Sequence, residues 1–237
     1  MDYQKPENPP EHVIILAMGP TWYKCPEKVD ENTQIWGVNT MYRNRDVDRI
    51  FIMHDIRHDI MMFDKDFIKN VNETGKPIYT AGDYPVFDNN IVYPIKEIIE
   101  YHNAAFFLNV MCYQIALAVY EGIKKISMYG ADMRTDSGSE YRVNEKGAVE
   151  FWLGVAVGHG IELYFPEECY LLRRIMAGNF YGYKPIQKAD GLLYMMPENI
   201  RRNHRYFRLI PLDDKGEEMR EFAVNTTLQV ETPSLVE

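Results

Sequence analysis

The stretch Phe106 to Met133, FFLNVMCYQIALAVYEGIKKISMYGADM, constrains the fold of this chain more than any other. Its first part is apolar on nearly every side, with Asn109, Gln114 and Glu121 as the clear exceptions. A helix apolar all round is a buried helix, so 106–121 is expected to be one, with Asn109 and Gln114 buried and hydrogen-bonded. Gly122 suits the position after a helix end, where the backbone turns left-handed. Ile123 to Tyr129 is β-branched and aromatic and is bounded by Gly130, which predicts a short buried strand. Buried helix, glycine, buried strand and Gly-Ala-Asp is the layout by which an α/β sheet offers a polar loop at the carboxyl end of a strand, where ligands of open α/β sheets bind. Gly130, Ala131 and Asp132 are placed at a ligand site on this ground. The alternative for Asp132 is a cap on the following turn.

Upstream, Val13 to Ala17 is a continuous apolar run fit for a central parallel strand, and Met18-Gly19-Pro20-Thr21 follows it directly. A glycine there lets backbone approach a ligand closely, and the neighbouring amides can cradle a phosphate; the other reading is a plain turn. The sequence is neither a Gly-x-Gly-x-x-Gly fingerprint nor a P-loop. Further runs at 35–38, 50–53 and 77–80 predict strands, ending at Asn39, at His54-Asp55 and at Gly82-Asp83. In a parallel sheet such ends share one edge, and a cleft needs polar groups from several strands. Asn39 reads equally as a left-handed or capping residue, and His54-Asp55 as a satisfied surface pair.

Arg134 to Asn144 is polar and reads as an active-site loop. A helix is predicted from about Glu145, with Ala148, Phe151, Trp152 and Val155 on one face, ended by Gly158 and Gly160. A strand at 161–165 and a helical turn from Pro166-Glu167-Glu168 follow. Strands alternating with helices predict a doubly wound, mostly parallel α/β domain over 12–183, with a C-terminal extension over 184–237. The extension holds a basic-aromatic cluster, Arg201 to Arg208. It reads first as a positive face that packs its aromatics on the core or on a second subunit, and otherwise as a nucleic-acid contact.

The net charge of −9 argues against broad nucleic-acid binding. The three cysteines, Cys25, Cys112 and Cys169, suggest neither a disulfide framework nor a zinc motif. No run is apolar and long enough for a membrane span, and the start MDYQKPENPPEH is no signal peptide. A cytoplasmic protein is the expectation; a homo-oligomer is left open.

The opening strand with Gly-Pro-Thr, the second strand ending in Asn39 and the run EGIKKISMYGADM resemble the superfamily that joins family-42 bacterial sialyltransferases to the DUF115 and archaeal 6-hydroxymethylpterin diphosphokinase-like proteins. The resemblance runs on into AVEFWLGVAVGHGIELYFPEECYLL and covers residues 12 to 175. It implies a Rossmann-like nucleotide-binding domain, with Gly19, Pro20, Thr21 and Asn39 matching the residues that hold the nucleotide. It further implies acceptor-side and phosphate-binding groups from Asp132 to Arg142. Those enzymes carry a catalytic histidine in that loop; this chain has none between Gly130 and His159, and Glu140, Tyr141 and Arg142 stand about there.

The function expected from this reading is group transfer from a nucleotide-activated donor, above all glycosyl transfer from a nucleotide sugar to a hydroxyl acceptor. Such transfer needs a base and stabilisation of a departing phosphate. Asp132 or Glu140 is the expected base. Arg134, Tyr141 and Arg142, with His54 and Asp55, are the expected phosphate and acceptor contacts. A diphosphate transferase would need magnesium, with Asp55, Asp83 and Asp132 as candidate ligands. A non-catalytic nucleotide-sequestering protein is the remaining alternative.

Overall fold

The computed structural model describes residues 3–59, 66–133, 140–166, 168–172, 186–189, 192–195 and 210–212. Two compact units divide the chain, Met1–Arg173 and Arg174–Glu237; the boundary expected near Tyr183 lies outside the described residues.

In the first unit the strands are β1 (His12–Leu16), β2 (Thr33–Val38), β3 (Arg49–Ile52), β4 (Ile78–Thr80), β5 (Asn90–Val92), β6 (Lys125–Tyr129) and β7 (Glu162–Tyr164). The helices are α1 (Ile56–Asp59), α2 (Phe67–Asn72), α3 (Ile95–His102), α4 (Val110–Glu121) and α5 (Glu140–Gly158). The strands form one sheet in the order β5-β4-β3-β2-β1-β6-β7, and every neighbouring pair is parallel. The chain builds outward from β1 to β5, then returns to lay β6 on the other side of β1. The fold is a doubly wound α/β sheet whose direction reverses between β1 and β6.

Both faces are covered, and β1 shows why its sequence is continuously apolar. Val13 and Ile15 belong to one core cluster with α4 and α5. Ile14 and Leu16 belong to the other, with Ile56, Phe67 and Val71 of α1 and α2. A strand buried on both faces has no polar side to alternate with.

α4 is buried almost all round, as its sequence requires, but it starts at Val110 and not at Phe106. The Asn109 side chain accepts the Met111 N–H at 2.8 Å and caps the helix, so the residues before it cannot continue the helix. Asn109 is therefore half-buried, and Phe106 and Leu108 are 43% and 41% exposed. Gln114 is fully buried and donates to the Trp36 carbonyl at 3.1 Å, tying helix to sheet. Gly122 ends the helix at φ 87°.

α5 begins five residues before the predicted start. Its buried face is Ala148, Val149, Trp152, Leu153 and Ala156, while Phe151 of the predicted face is 42% exposed. The edge strand β5 is three residues long, too short a run to stand out in the sequence. Asn90 holds it, accepting the Tyr84 N–H and donating to Thr80 Oγ1, each at 2.8 Å. Pro166 opens a turn closed by the Cys169 N–H at 3.0 Å, and no helix follows among the described residues 168–172.

The second unit contains β8 (Ile186–Ala189), β9 (Leu192–Met195) and β10 (Ile210–Leu212), an antiparallel sheet in the order β10-β9-β8. The cluster Arg201–Arg208 lies outside the described residues. Among the described residues, no helix is long and apolar enough to cross a membrane.

Candidate active site

A cavity of about 800 Å³ opens at the carboxyl edge of the sheet, where the strand order reverses. The loops after β1 (Met18, Gly19, Pro20), β2 (Asn39), β3 (Met53, His54) and β6 (Gly130 to Met133) form its floor. The segment Phe107 to Met111 at the start of α4, Tyr113 and Glu145 of α5 form its wall. Crevices at such reversal points are where open α/β sheets hold ligands.

The β1 and β6 loops are stitched to each other. The Gly19 N–H donates to the Gly130 carbonyl at 2.7 Å, the Gly130 N–H to Thr21 Oγ1 at 3.0 Å and the Thr21 N–H to Asp132 Oδ2 at 3.0 Å. Beneath them, Cys169 Sγ–H donates to the Ala131 carbonyl at 3.1 Å, and burial pushes that thiol up to about 11, which leaves it an inert packing group. A Cβ on Gly19 would lie 2.3 Å from Asp132 Oδ2 and 2.5 Å from the Gly130 carbonyl. A Cβ on Gly130, at φ 68°, would lie 2.0 Å from the Ala17 carbonyl. Both glycines are thus required by loop-on-loop packing. A side chain at Gly19 would therefore disturb the pairing of the two loops as well as any close approach of a ligand.

Thr21 is buried within this latch and lies behind the cavity surface formed by Gly19 and Pro20. Asp132 is 7% exposed and lines the cavity while holding the Thr21 amide, so it joins the two loops that form the floor. Met133 follows at φ 45°, a conformation costly for a long side chain.

Asn39 sits at φ 50°, which Asn tolerates better than most residues. Its N–H donates to the Phe51 carbonyl at 2.9 Å, and its Oδ1 is buried with no hydrogen-bond partner. A buried, unmet acceptor beside a cavity is a group ready for a ligand donor. α4 directs its N-terminus into the same space; the aligned peptide dipoles favour negative charge there.

The other expected residues divide. His54 lines the cavity and Asp55 does not. Asp55 is held below the usual carboxylate range by hydrogen bonds from Arg57 and then from Tyr84. Arg134 lies outside the described residues, as do the side chains of Glu140, Tyr141 and Arg142. The magnesium set Asp55, Asp83 and Asp132 is not gathered: only Asp132 lines the cavity, and no three potential metal-ligating side chains come together among the described residues.

The wall was missed. Phe107 stacks on Tyr113 at 4.7 Å and packs on Trp152 at 4.8 Å, and Glu145 faces the cavity from α5. The missed signal was Asn109 as an N-cap residue ahead of the apolar run, which sets the helix start at this edge of the sheet.

No family model and no curated protein matches the chain. Among solved structures it is similar to the sialyltransferase CstII from Campylobacter jejuni in complex with cytidine-5'-monophosphate. That match has 17% identity, spans 68% of this chain and 80% of that one, and has a TM-score of 0.43. It is similar also to the same enzyme in complex with CMP-3FNeuAc, at 16% identity over 67% of this chain and 80% of that one, with a TM-score of 0.43. A likeness this distant assigns no activity, and the functional reading stands on the cavity and its residues.

Proposed function

We propose that the chain is a transferase that uses a nucleotide-activated donor, and that its reaction is glycosyl transfer from a nucleotide sugar to a hydroxyl acceptor. The observation that carries the reading is one cavity at the reversal point that brings together Gly19 and Pro20, Asn39 and Gly130 to Asp132 from separate strands. The residues matched to nucleotide contacts by family resemblance are the ones assembled there, apart from Thr21, which latches the loop behind them.

In this mechanism the nucleoside rests against the β1 and β2 loops, with the unmet Asn39 Oδ1 as acceptor for one of its N–H or O–H groups. The phosphates lie towards the α4 N-terminus. A carboxylate takes the proton of the acceptor hydroxyl, whose oxygen bonds to the anomeric carbon. The bond from that carbon to the phosphate oxygen breaks, and the nucleotide leaves with the electron pair. Glu145 and Glu140, both on α5, and Asp132 are the carboxylates for the base. Asp132, tied to Thr21, also keeps the donor loop in place.

A thermal-melt screen against nucleotides and nucleotide sugars tests the reading. A true donor at about 100 times its Kd adds about 2.7 kcal/mol of apparent stability; if none of the set raises the melting temperature, the reading fails. With a donor in hand, Glu145→Gln or Glu140→Gln is expected to lose turnover by about 100-fold with donor binding kept. Asp132→Asn is expected to weaken donor binding as well. Tight binding without turnover for any acceptor would replace the enzyme by a sequestering protein.

A further inference from the structure

We infer that His102 is a buttress of the cavity wall that acid releases. While its ring is neutral it seats the end of α3 against α4 and Trp152; once protonated it gives up that seat and frees the segment 106–109. The inference concerns the wall itself and holds whichever ligand the cavity takes.

His102 is the last residue of α3, and the connection 103–109 runs from it to α4. The far part of that connection, from Phe107 on, is cavity wall. This part of the wall hangs on one side chain. Trp152, fully buried, donates its Nε1–H to the Phe106 carbonyl at 2.7 Å, and Phe107 packs on its ring at 4.8 Å. The His102 ring in turn meets the Trp152 ring edge to face at 5.0 Å.

The tautomer of His102 follows from its partner. Nε2 lies 3.0 Å from the Ala116 carbonyl, which only accepts, so Nε2 carries the hydrogen and Nδ1 is bare. Nδ1 is buried and has no hydrogen-bond partner. Protonation puts an N–H there with no acceptor, and a charged ring left so is better placed in water. From α3 the ring faces Tyr101 at 4.8 Å, from α4 the Ala116 carbonyl, and from α5 Trp152, with His159 just past the helix end at 6.1 Å. No carboxylate is among these neighbours. The Ala116 carbonyl and the end of α3 favour the charge. Burial first, and then His159, oppose it and hold the ring below its ordinary pKa of 6.5. The seat is therefore occupied at neutral pH and vacated in acid.

Nitrogen-15 NMR of the histidine rings and tryptophan indoles of the whole chain tests this. Neutral His102 is expected to carry its proton on Nε2 and to titrate with a midpoint below pH 6.5. The Trp152 indole signal is expected to shift with the same midpoint. Hydrogen exchange is to be followed at that indole and at the Met111 N–H, which Asn109 Oδ1 holds, and corrected for its intrinsic dependence on pH. Below the midpoint, protection at both should fall by up to about tenfold per pH unit, the limit for one proton. His102→Gln keeps an N–H for the Ala116 carbonyl and does not titrate, so it should remove this fall. His159→Gln removes an opposing charge and should move the His102 midpoint upward. Neutral His102 with its proton on Nδ1, a midpoint at or above pH 6.5, or an indole signal that does not follow the ring overturns the inference. So does a loss of protection that persists in His102→Gln, or a midpoint that His159→Gln leaves unmoved. Should His102→Gln not fold, the wild-type titrations and the His159→Gln midpoint decide by themselves.

Discussion

The two edges of the central sheet carry the same kinds of polar residue and treat them oppositely. At the carboxyl edge, Asn39, His54, Asp132 and Glu145 surround an open cavity. At the other edge, where β3 begins and α4 ends, the charges are turned on one another. Arg49 Nη1 donates to Glu121 Oε1 at 2.6 Å and to the Tyr79 hydroxyl at 3.1 Å. Tyr3 donates to the same Glu121 oxygen at 3.0 Å. The guanidinium lies 4.5 Å from the centre of the Trp36 ring, and the Glu121 side chain is fully buried. Burial works against the Arg49 charge, but the carboxylate outweighs it and raises its pKa; burial, opposed by Arg49, pushes that of Tyr79 up to about 12. Roughly 16 Å of strand separates the two edges. One edge is therefore closed by its own ion pair, while the other borders the cavity.

The largest effect is expected from breaking the closed edge. Arg49→Met leaves the Glu121 carboxylate buried without its partner, which costs about 3–5 kcal/mol. Urea denaturation should show that loss, while the surviving folded fraction keeps its nucleotide affinity. Adding Glu121→Leu removes the stranded charge and should recover most of the stability. A large loss of nucleotide affinity in the double variant would show that the two edges are coupled.

Next comes the open edge. Gly19→Val drives a side chain into Asp132 and the Gly130 carbonyl. It should cost about 1–3 kcal/mol and lower nucleotide affinity at the same time, because the displaced loop is the floor of the cavity. Gly147 is the control: its α5 position has nothing within 4 Å of an added Cβ, and Gly147→Ala should stabilise by about 0.5–1 kcal/mol. If Gly19→Val keeps wild-type stability and loses only binding, the loop-on-loop account of that glycine is wrong.

The same contrast explains what was legible in the sequence. Local pattern is strong where both faces of a strand are buried, so β1 was read to within a residue and β6 to within two. It is weak where a side chain decides, as with Asn109 starting α4 and Asn90 holding β5. Of the cavity, the strand-end residues could be read because parallel strands bring their ends together. The wall at Phe107 to Tyr113 and at Glu145 could not, because it depends on how α4 and α5 pack across the sheet. The Arg49–Glu121 pair spans 72 positions, and no local pattern announces it.

The smallest effect sharpens the comparison at the closed edge. His12, first residue of β1, shares a hydrogen bond between Nε2 and Ser127 Oγ at 2.8 Å, and Nδ1 lies 3.3 Å from Thr33 Oγ1. Thr33 in turn donates to Asp30 Oδ1 at 2.7 Å. Burial first, and then Lys125, push the His12 pKa below its ordinary value of 6.5, against smaller opposing effects of Asp30 and Glu162. A histidine whose folded pKa is depressed binds its proton more weakly in the native state than in the unfolded one. Its contribution is therefore complete above about pH 6.5 and is lost as the pH falls through the lower, folded value. Denaturation midpoints measured from about pH 8 down to about pH 5 should fall for the wild-type protein and fall less for His12→Gln. The difference between the two isolates His12 from His102, which burial also lowers. Parallel lines over the whole range would mean that His12 takes up its proton in the fold as readily as in the unfolded chain, and that this edge is more open to water than its hydrogen bonds indicate.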